Sequence, residues 1–129
     1  MTSRWTTADI PDQTGRTFVI TGANAGLGLE STRALTAAGA RVLMACRDTT
    51  RAEAARAGLA HPDRAEVVQL DLADLDSVRS AGRVLADHRP DVLINNAGLM
   101  NIPQSRTAQG HEMQFGVNVL GHFALTEQL

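Results

Sequence analysis

The chain contains no tyrosine and no lysine, and all twelve of its basic residues are arginines. Chemistry that uses a phenol as acid or base, or an ammonium group as its electrostatic partner, has no residue here to carry it. Cysteine is nearly absent too. The single Cys46 excludes an internal disulfide, suits a reducing compartment, and sits in an apolar run where it reads as a small core residue. No apolar stretch is long enough to cross a bilayer, and the opening residues lack the basic, apolar and small-residue order of a signal peptide. A soluble, cytoplasmic protein with no membrane partner is the expectation. The formal charge is only −2 and the arginines are scattered, so no nucleic-acid partner is expected. The four histidines, His61, His88, His111 and His122, have neither close ligand spacing nor acidic or cysteine companions. No metal site is therefore expected, and these residues suit surface or helix-packing roles. A nucleophile-elbow serine is also missing, which sets aside one large class of hydrolases.

What remains is a chain of 129 residues and 43% hydrophobic content, the size and composition of one globular domain or a large part of one. Residues 1–15 read as a polar, extended lead-in broken by Pro11 and Gly15, with Trp5 packing locally. From Thr17 onward, apolar runs alternate with helical patterns, the signature of βαβ units and of a parallel sheet covered on both faces. Strands are predicted at 17–20, 41–46, 66–70 and 91–94. A first helix carries Leu27, Ser31, Ala34, Leu35 and Ala38 at helical spacing and ends at Gly39. Thr50 and Glu53 have capping-box spacing for a second, running to about Leu59, and Asp74 is the expected N-cap of a third with Leu75, Val78, Gly82 and Leu85 on one face. A loop spans 95–110, and Met113, Val117, Leu120 and Ala124 give the last segment, 112–129, a helical period. Four βα units with right-handed crossovers predict an α/β, doubly wound parallel sheet of strand order 3-2-1-4, about half of such a fold, with its fourth strand at an edge.

The most informative stretch lies between the first strand and the first helix, where residues 21–28 read Thr-Gly-Ala-Asn-Ala-Gly-Leu-Gly. Glycine removes the Cβ atoms that would hold a phosphate away from the backbone, and the following helix offers unpaired N–H groups and the positive end of its dipole. A glycine motif alone is weak, since turns and helix caps also use glycine. Its context between a strand and a helix, with a second strand following, meets the conditions for dinucleotide binding. The spacing is Gly-x-x-x-Gly-x-Gly, one residue different from the commonest pattern. With Thr21 before it, Asp71-Leu72 after the third strand, Asn95-Asn96-Ala97-Gly98 after the fourth and Asn118 in the last helix, the chain closely resembles the short-chain dehydrogenase/reductase family from about residue 15 to the end. The stretches Ala45-Cys46-Arg47-Asp48 and Phe115-Gly116-Val117-Asn118, with Gly121-His122-Phe123, are most similar to its retinol-dehydrogenase-like branch.

The resemblance implies an NAD(P)-binding Rossmann domain over 16–129 and a function: hydride transfer between a nicotinamide cofactor and the carbonyl or alcohol of a small molecule. It implies that Gly22, Gly26 and Gly28 form the phosphate turn, with the Leu27 backbone facing the pyrophosphate and Asn24 near the adenosine ribose. Asp71 would accept from the adenine amino group beside Leu72, although a strand-end aspartate also suits a plain loop cap. Asn96, Ala97 and Gly98 would pass the nicotinamide side, the asparagine partly tying central strands together. Charge argues for NADP over NAD. The second strand ends in Cys46 and Arg47, where an NAD site would place a carboxylate for the ribose 2′-OH, and a guanidinium grips a 2′-phosphate instead. Asp48 leaves two alternatives open, since it could hold Arg47 or bind a ribose hydroxyl itself.

Of the catalytic set that the resemblance implies, namely a tyrosine, a lysine four positions on, a serine and an asparagine, this chain supplies only Asn118. The others are expected beyond Leu129, which makes these residues the cofactor-binding portion, inactive alone. The alternative is a non-catalytic dinucleotide-binding or regulatory module. The resemblance also allows a homo-oligomer.

Overall fold

The computed structural model describes residues 3–129; Met1 and Thr2, the start of the expected lead-in, lie outside the described residues. Four strands form one parallel sheet: β1 (Thr17–Thr21), β2 (Arg41–Cys46), β3 (Ala65–Gln69) and β4 (Val92–Ile94). Their order is β3-β2-β1-β4, as the crossover argument requires. The register pairs Phe18 with both Val42 and Val92, and Val42 with Ala65.

Both faces of the sheet are covered, so its central strands carry consecutive apolar residues, 18–20 and 42–46, rather than alternate ones. Along β2, Val42, Met44 and Cys46 point to one core with Phe18, Ile20 and Ala52. Leu43 and Ala45 point to the other with Val19, Val68, Val78, Leu85 and Leu125. The first core lies under α1 (Gly26–Ala37) and α2 (Thr49–Ala57), the second under α3 (Leu75–Asp87) and the last helical segment. The chain thus changes faces between β3 and β4, and β4 lands beside β1. That reversal leaves a crevice at the carboxyl ends of β1 and β4, the place where open α/β sheets bind ligands.

Four local expectations fail, each for a physical reason. Leu27 is 81% exposed, and α1 instead buries Gly28, Thr32 and Thr36 at i, i+4, i+8. Threonine suffices on that face because its hydroxyl is satisfied within the helix: Thr32 Oγ1 donates to Gly28 O and Thr36 Oγ1 to Thr32 O, both at 2.8 Å. The helix α2 is capped by Asp48, which accepts from the Arg51 N–H at 3.0 Å; Thr50 lies inside the helix and Glu53 pairs with Arg56 at 2.7 Å. Trp5 is 68% exposed beside a short 3₁₀ turn, Thr7–Asp9, and does not pack locally. The last segment is not one α-helix. Glu112 caps α4 (Met113–Phe115), a π-helical turn follows over Gly116–Gly121, and α5 (His122–Thr126) completes it. Both glycines of the π turn are buried, and a Cβ at Gly121 would lie 2.6 Å from Leu72 O.

The expected loop after β4 is pinned rather than loose. Gln109 reaches the α3 N-terminus, accepting from Leu75 N and donating to Asp74 Oδ1, both at 2.9 Å, while Asp74 caps α3 as predicted. The Gln109 hydrogen bond, reinforced by Asp76 N–H, holds the Asp74 carboxyl below its ordinary pKa.

Candidate functional site

Beyond the carboxyl ends of the strands lies a cleft of about 460 Å³, within the range of small-molecule sites. Every strand contributes the segment that follows it: Gly22 and Asn24 after β1, Arg47 and Asp48 after β2, Asp71 and Leu72 after β3, and Asn96, Ala97 and Gly98 after β4. Gly26, Leu27 and Gly28 shape the turn at its edge without lining it.

The turn is built from what its backbone must do. Gly22 and Gly26 stand at φ +64° and +53°, the left-handed region that side chains disfavour. A Cβ on Gly28 would collide with Gly22 O and with the Asn96 amide. At the start of α1 the N-cap is Ala25, whose side chain caps nothing, and the first turn holds no acidic residue. The N–H groups there are left for an outside acceptor, which suits an anion such as a pyrophosphate.

At the end of β2, Cys46 is buried, and burial raises its thiol pKa, opposed by the nearby Ala23 and Asn24 backbone N–H groups, which fits a structural role. Next to it Arg47 lines the cleft with no hydrogen-bond or ion-pair partner among the described residues. Asp48 is occupied elsewhere: Oδ1 caps α2 and Oδ2 lies 3.5 Å from Arg51 Nε. Arg51, which sequence reasoning missed, also lines the cleft. Reading Asp48 as the N-cap would have found it, because that sets Arg51 in the first turn of α2.

Asp71 combines both roles weighed for it. Its Oδ1 accepts from Ala73 N at 2.9 Å, a loop cap, while the residue lines the cleft and its Oδ2 has no partner among the described residues. Asn96 is tied into the sheet, its amide donating to Thr21 O at 3.0 Å and to Gly22 O at 3.4 Å. Asn118 stands outside the cleft lining. It grips the loop instead, Oδ1 accepting from Leu99 N at 2.8 Å and Nδ2 donating to Leu99 O at 2.7 Å. Leu99, Met113 and Val117 form an apolar wall that the sequence reading does not assign to the site.

Behind the wall, the Thr21 hydroxyl is within 2.8 Å of His122 Nε2, and His122 Nδ1 is 3.2 Å from Asn118 O. Burial lowers the imidazole pKa, partly opposed by the bond to Asn118, and keeps the ring neutral near pH 7. Among the described residues no cluster of three or more His, Cys, Asp or Glu is arranged to hold a metal ion.

The family model for short chain dehydrogenase matches residues 16–129. The chain belongs to the short-chain dehydrogenase family. Mouse retinol dehydrogenase 14 is 49% identical over 130 aligned residues, covering 89% of this chain and 39% of that protein. This short-chain dehydrogenase sequence thus spans about two fifths of the length of that curated relative. A crystal structure of an uncharacterized protein from Mycobacterium paratuberculosis, 50% identical, superposes with a TM-score of 0.92 over 98% of this chain and 46% of that one. The 3-ketoacyl-(acyl-carrier-protein) reductase of Brucella melitensis, solved with NADH, is 31% identical with a TM-score of 0.74, covering 90% of this chain and 49% of its own. The Pseudomonas aeruginosa RhlG structure with NADP is 28% identical with a TM-score of 0.76 over 90% of this chain and 47% of that chain.

Proposed function

We propose that the chain is the cofactor-binding portion of an NADP-preferring short-chain oxidoreductase that moves hydride between nicotinamide and the carbonyl or alcohol of a small molecule. One observation carries the choice of NADP: Arg47 lines the cleft at the end of β2 with no protein partner among the described residues, while Asp48 is engaged by Arg51. The carboxylate that would repel a 2′-phosphate is paired at the surface with one arginine, and a second guanidinium is left for the phosphate. The α1 amides would hold the pyrophosphate, Asp71 Oδ2 the adenine amino group, and the Asn96–Gly98 strip the nicotinamide side. When bound, the cofactor supplies or accepts the hydride; these residues orient it.

The relatives' solved complexes include both NADP and NADH, so family membership leaves the choice to residues such as Arg47. A second reading, a dinucleotide-binding module without turnover, draws on the absence of tyrosine and lysine. Fluorescence titration of the chain with NADPH and NADH tests the proposal. Tighter NADPH binding supports it, equal weak binding of both removes the role given to Arg47, and no binding removes the cofactor site altogether. Hydride transfer to a panel of aldehydes and ketones by a protein carrying this chain separates the first reading from the second.

A further inference from the structure

A run of hydrogen bonds behind the cleft ends on a ring for which the proposed function has no use. Thr21 Oγ1 accepts from the backbone N–H groups of Asn96 at 2.9 Å and Ala97 at 3.0 Å, which occupies both of its lone pairs. Its own hydrogen therefore goes to the remaining neighbour, His122 Nε2, at 2.8 Å. Across the ring, Nδ1 faces the carbonyl oxygen of Asn118 at 3.2 Å, and a carbonyl can only accept. The two contacts lie at opposite ends of the run, and together they demand a hydrogen on Nδ1 and none on Nε2.

We propose that His122 is a positioning residue, held as the neutral Nδ1–H tautomer, that locks the Asn96–Ala97 wall of the cleft to the Asn118 segment of the π turn. The inference rests on reading that cleft as the cofactor site.

The alternatives are all worse. An Nε2–H ring would aim a donor at a hydroxyl whose lone pairs are full and a lone pair at a carbonyl. A protonated ring keeps the first fault. With only 6% of the residue exposed, water is poorly placed to relieve either one. The backbone N–H of His122 goes to Val119 O, so it is the ring that this residue offers to Asn118 O. The same Asn118 holds Leu99 through its side chain, so one segment of helix fixes the strip after β4 at two points, Ala97 through His122 and Leu99 directly. Gly121 permits this by letting the helix approach Leu72 too closely for any Cβ.

Ring ¹⁵N spectra of the histidine-labelled chain without cofactor, with the His122 signals assigned by their loss in His122→Gln, decide the tautomer. A protonated Nδ1 and unprotonated Nε2 at neutral pH is the expected pattern; an Nε2–H or charged ring overturns the proposal. The second arm is a double-mutant cycle of Thr21→Val and His122→Phe read as NADPH dissociation constants. Each substitution is expected to weaken binding at least about fivefold, and the pair little more than either alone, because both break one run of bonds. Full additivity overturns the coupling, as does a Thr21→Ser variant, which keeps the hydroxyl, binding as weakly as Thr21→Val. If the unaltered chain fails to bind NADPH, the cofactor-site reading falls by itself, and the ring spectra still decide the tautomer.

Discussion

Replacing Arg47 with alanine removes the one cleft-lining guanidinium that has no protein partner among the described residues. A hydrogen bond to a charged group contributes about 1.5–3 kcal/mol, and a guanidinium–phosphate fork makes two of them. Arg47 is exposed, so solvent screening places the effect near the lower end, about 1.5–2 kcal/mol, or about 10- to 30-fold in NADPH affinity. NADH lacks the 2′-phosphate, and its affinity should change by less than about twofold on the same argument. Arg51 tempers the loss without cancelling it, because Asp48 at 3.5 Å already draws on its charge. Arg51→Ala should therefore cost less, about threefold for NADPH. Fluorescence titrations at low and high salt measure this directly, and the Arg47→Ala chain should show a shallower salt dependence for NADPH only. If Arg47→Ala weakens NADH and NADPH by the same factor, the residue supports the fold of the rim and does not read the phosphate.

Gly28→Ala should lower stability by about 1–3 kcal/mol and abolish NADPH binding, because the new Cβ meets the Gly22 carbonyl and the Asn96 amide; thermal unfolding beside titration checks both. Asn118→Ala removes two hydrogen bonds to Leu99, a loss of about 1–2 kcal/mol that differential scanning calorimetry should register as a lower Tm. His122 has a pKa lowered from 6.5 by burial, so between its folded value and 6.5 the unfolded chain holds more protons. Stability should thus be full above pH 6.5 and fall as pH drops below it, a dependence absent from His122→Phe in denaturant titrations at stepped pH. Cys46, buried with its thiol pKa raised, should resist a thiol reagent until the chain unfolds; fast labelling of the native chain would contradict its structural role.

The sheet was legible because both of its faces are buried, which makes residues such as 41–46 an apolar run bounded by turns, and because crossover handedness leaves few strand orders. Asp74 was legible for a similar reason, since a cap is a local event. The capping of α2 was misread because Thr50 and Glu53 carry the box spacing while Asp48, two residues earlier, has the better acceptor for Arg51 N–H. The buried stripe of α1 was misplaced by one residue, because hydrophobicity favours Leu27 while close helix–sheet approach favours small Gly28 and threonines whose hydroxyls are satisfied in the helix. The π turn left no periodic signal. Its cause is tertiary, the contact of Gly121 with the Leu72 backbone, and a residue pattern records that only as two glycines five apart.

The polar side chains near the cleft divide into two groups, and the division says how the site would work. Asn96, Asn118 and Thr21 have their hydrogen-bonding groups directed at protein backbone or at His122, so they hold the walls in place and have little left for a ligand. The α1 amides, Asp71 Oδ2 and Arg47 have no protein partner among the described residues. On the proposed reading the first of these would hold any dinucleotide, since every such cofactor carries the pyrophosphate. On the same reading, Arg47, with Arg51 beside it in the cleft lining, would meet the group that distinguishes one nicotinamide cofactor from the other. Changes in the first group should therefore weaken NADPH and NADH alike, through loss of wall geometry. A change of preference should come from the β2 end alone, which makes the ratio of the two affinities, and not either affinity by itself, the quantity that identifies what a residue at this site does.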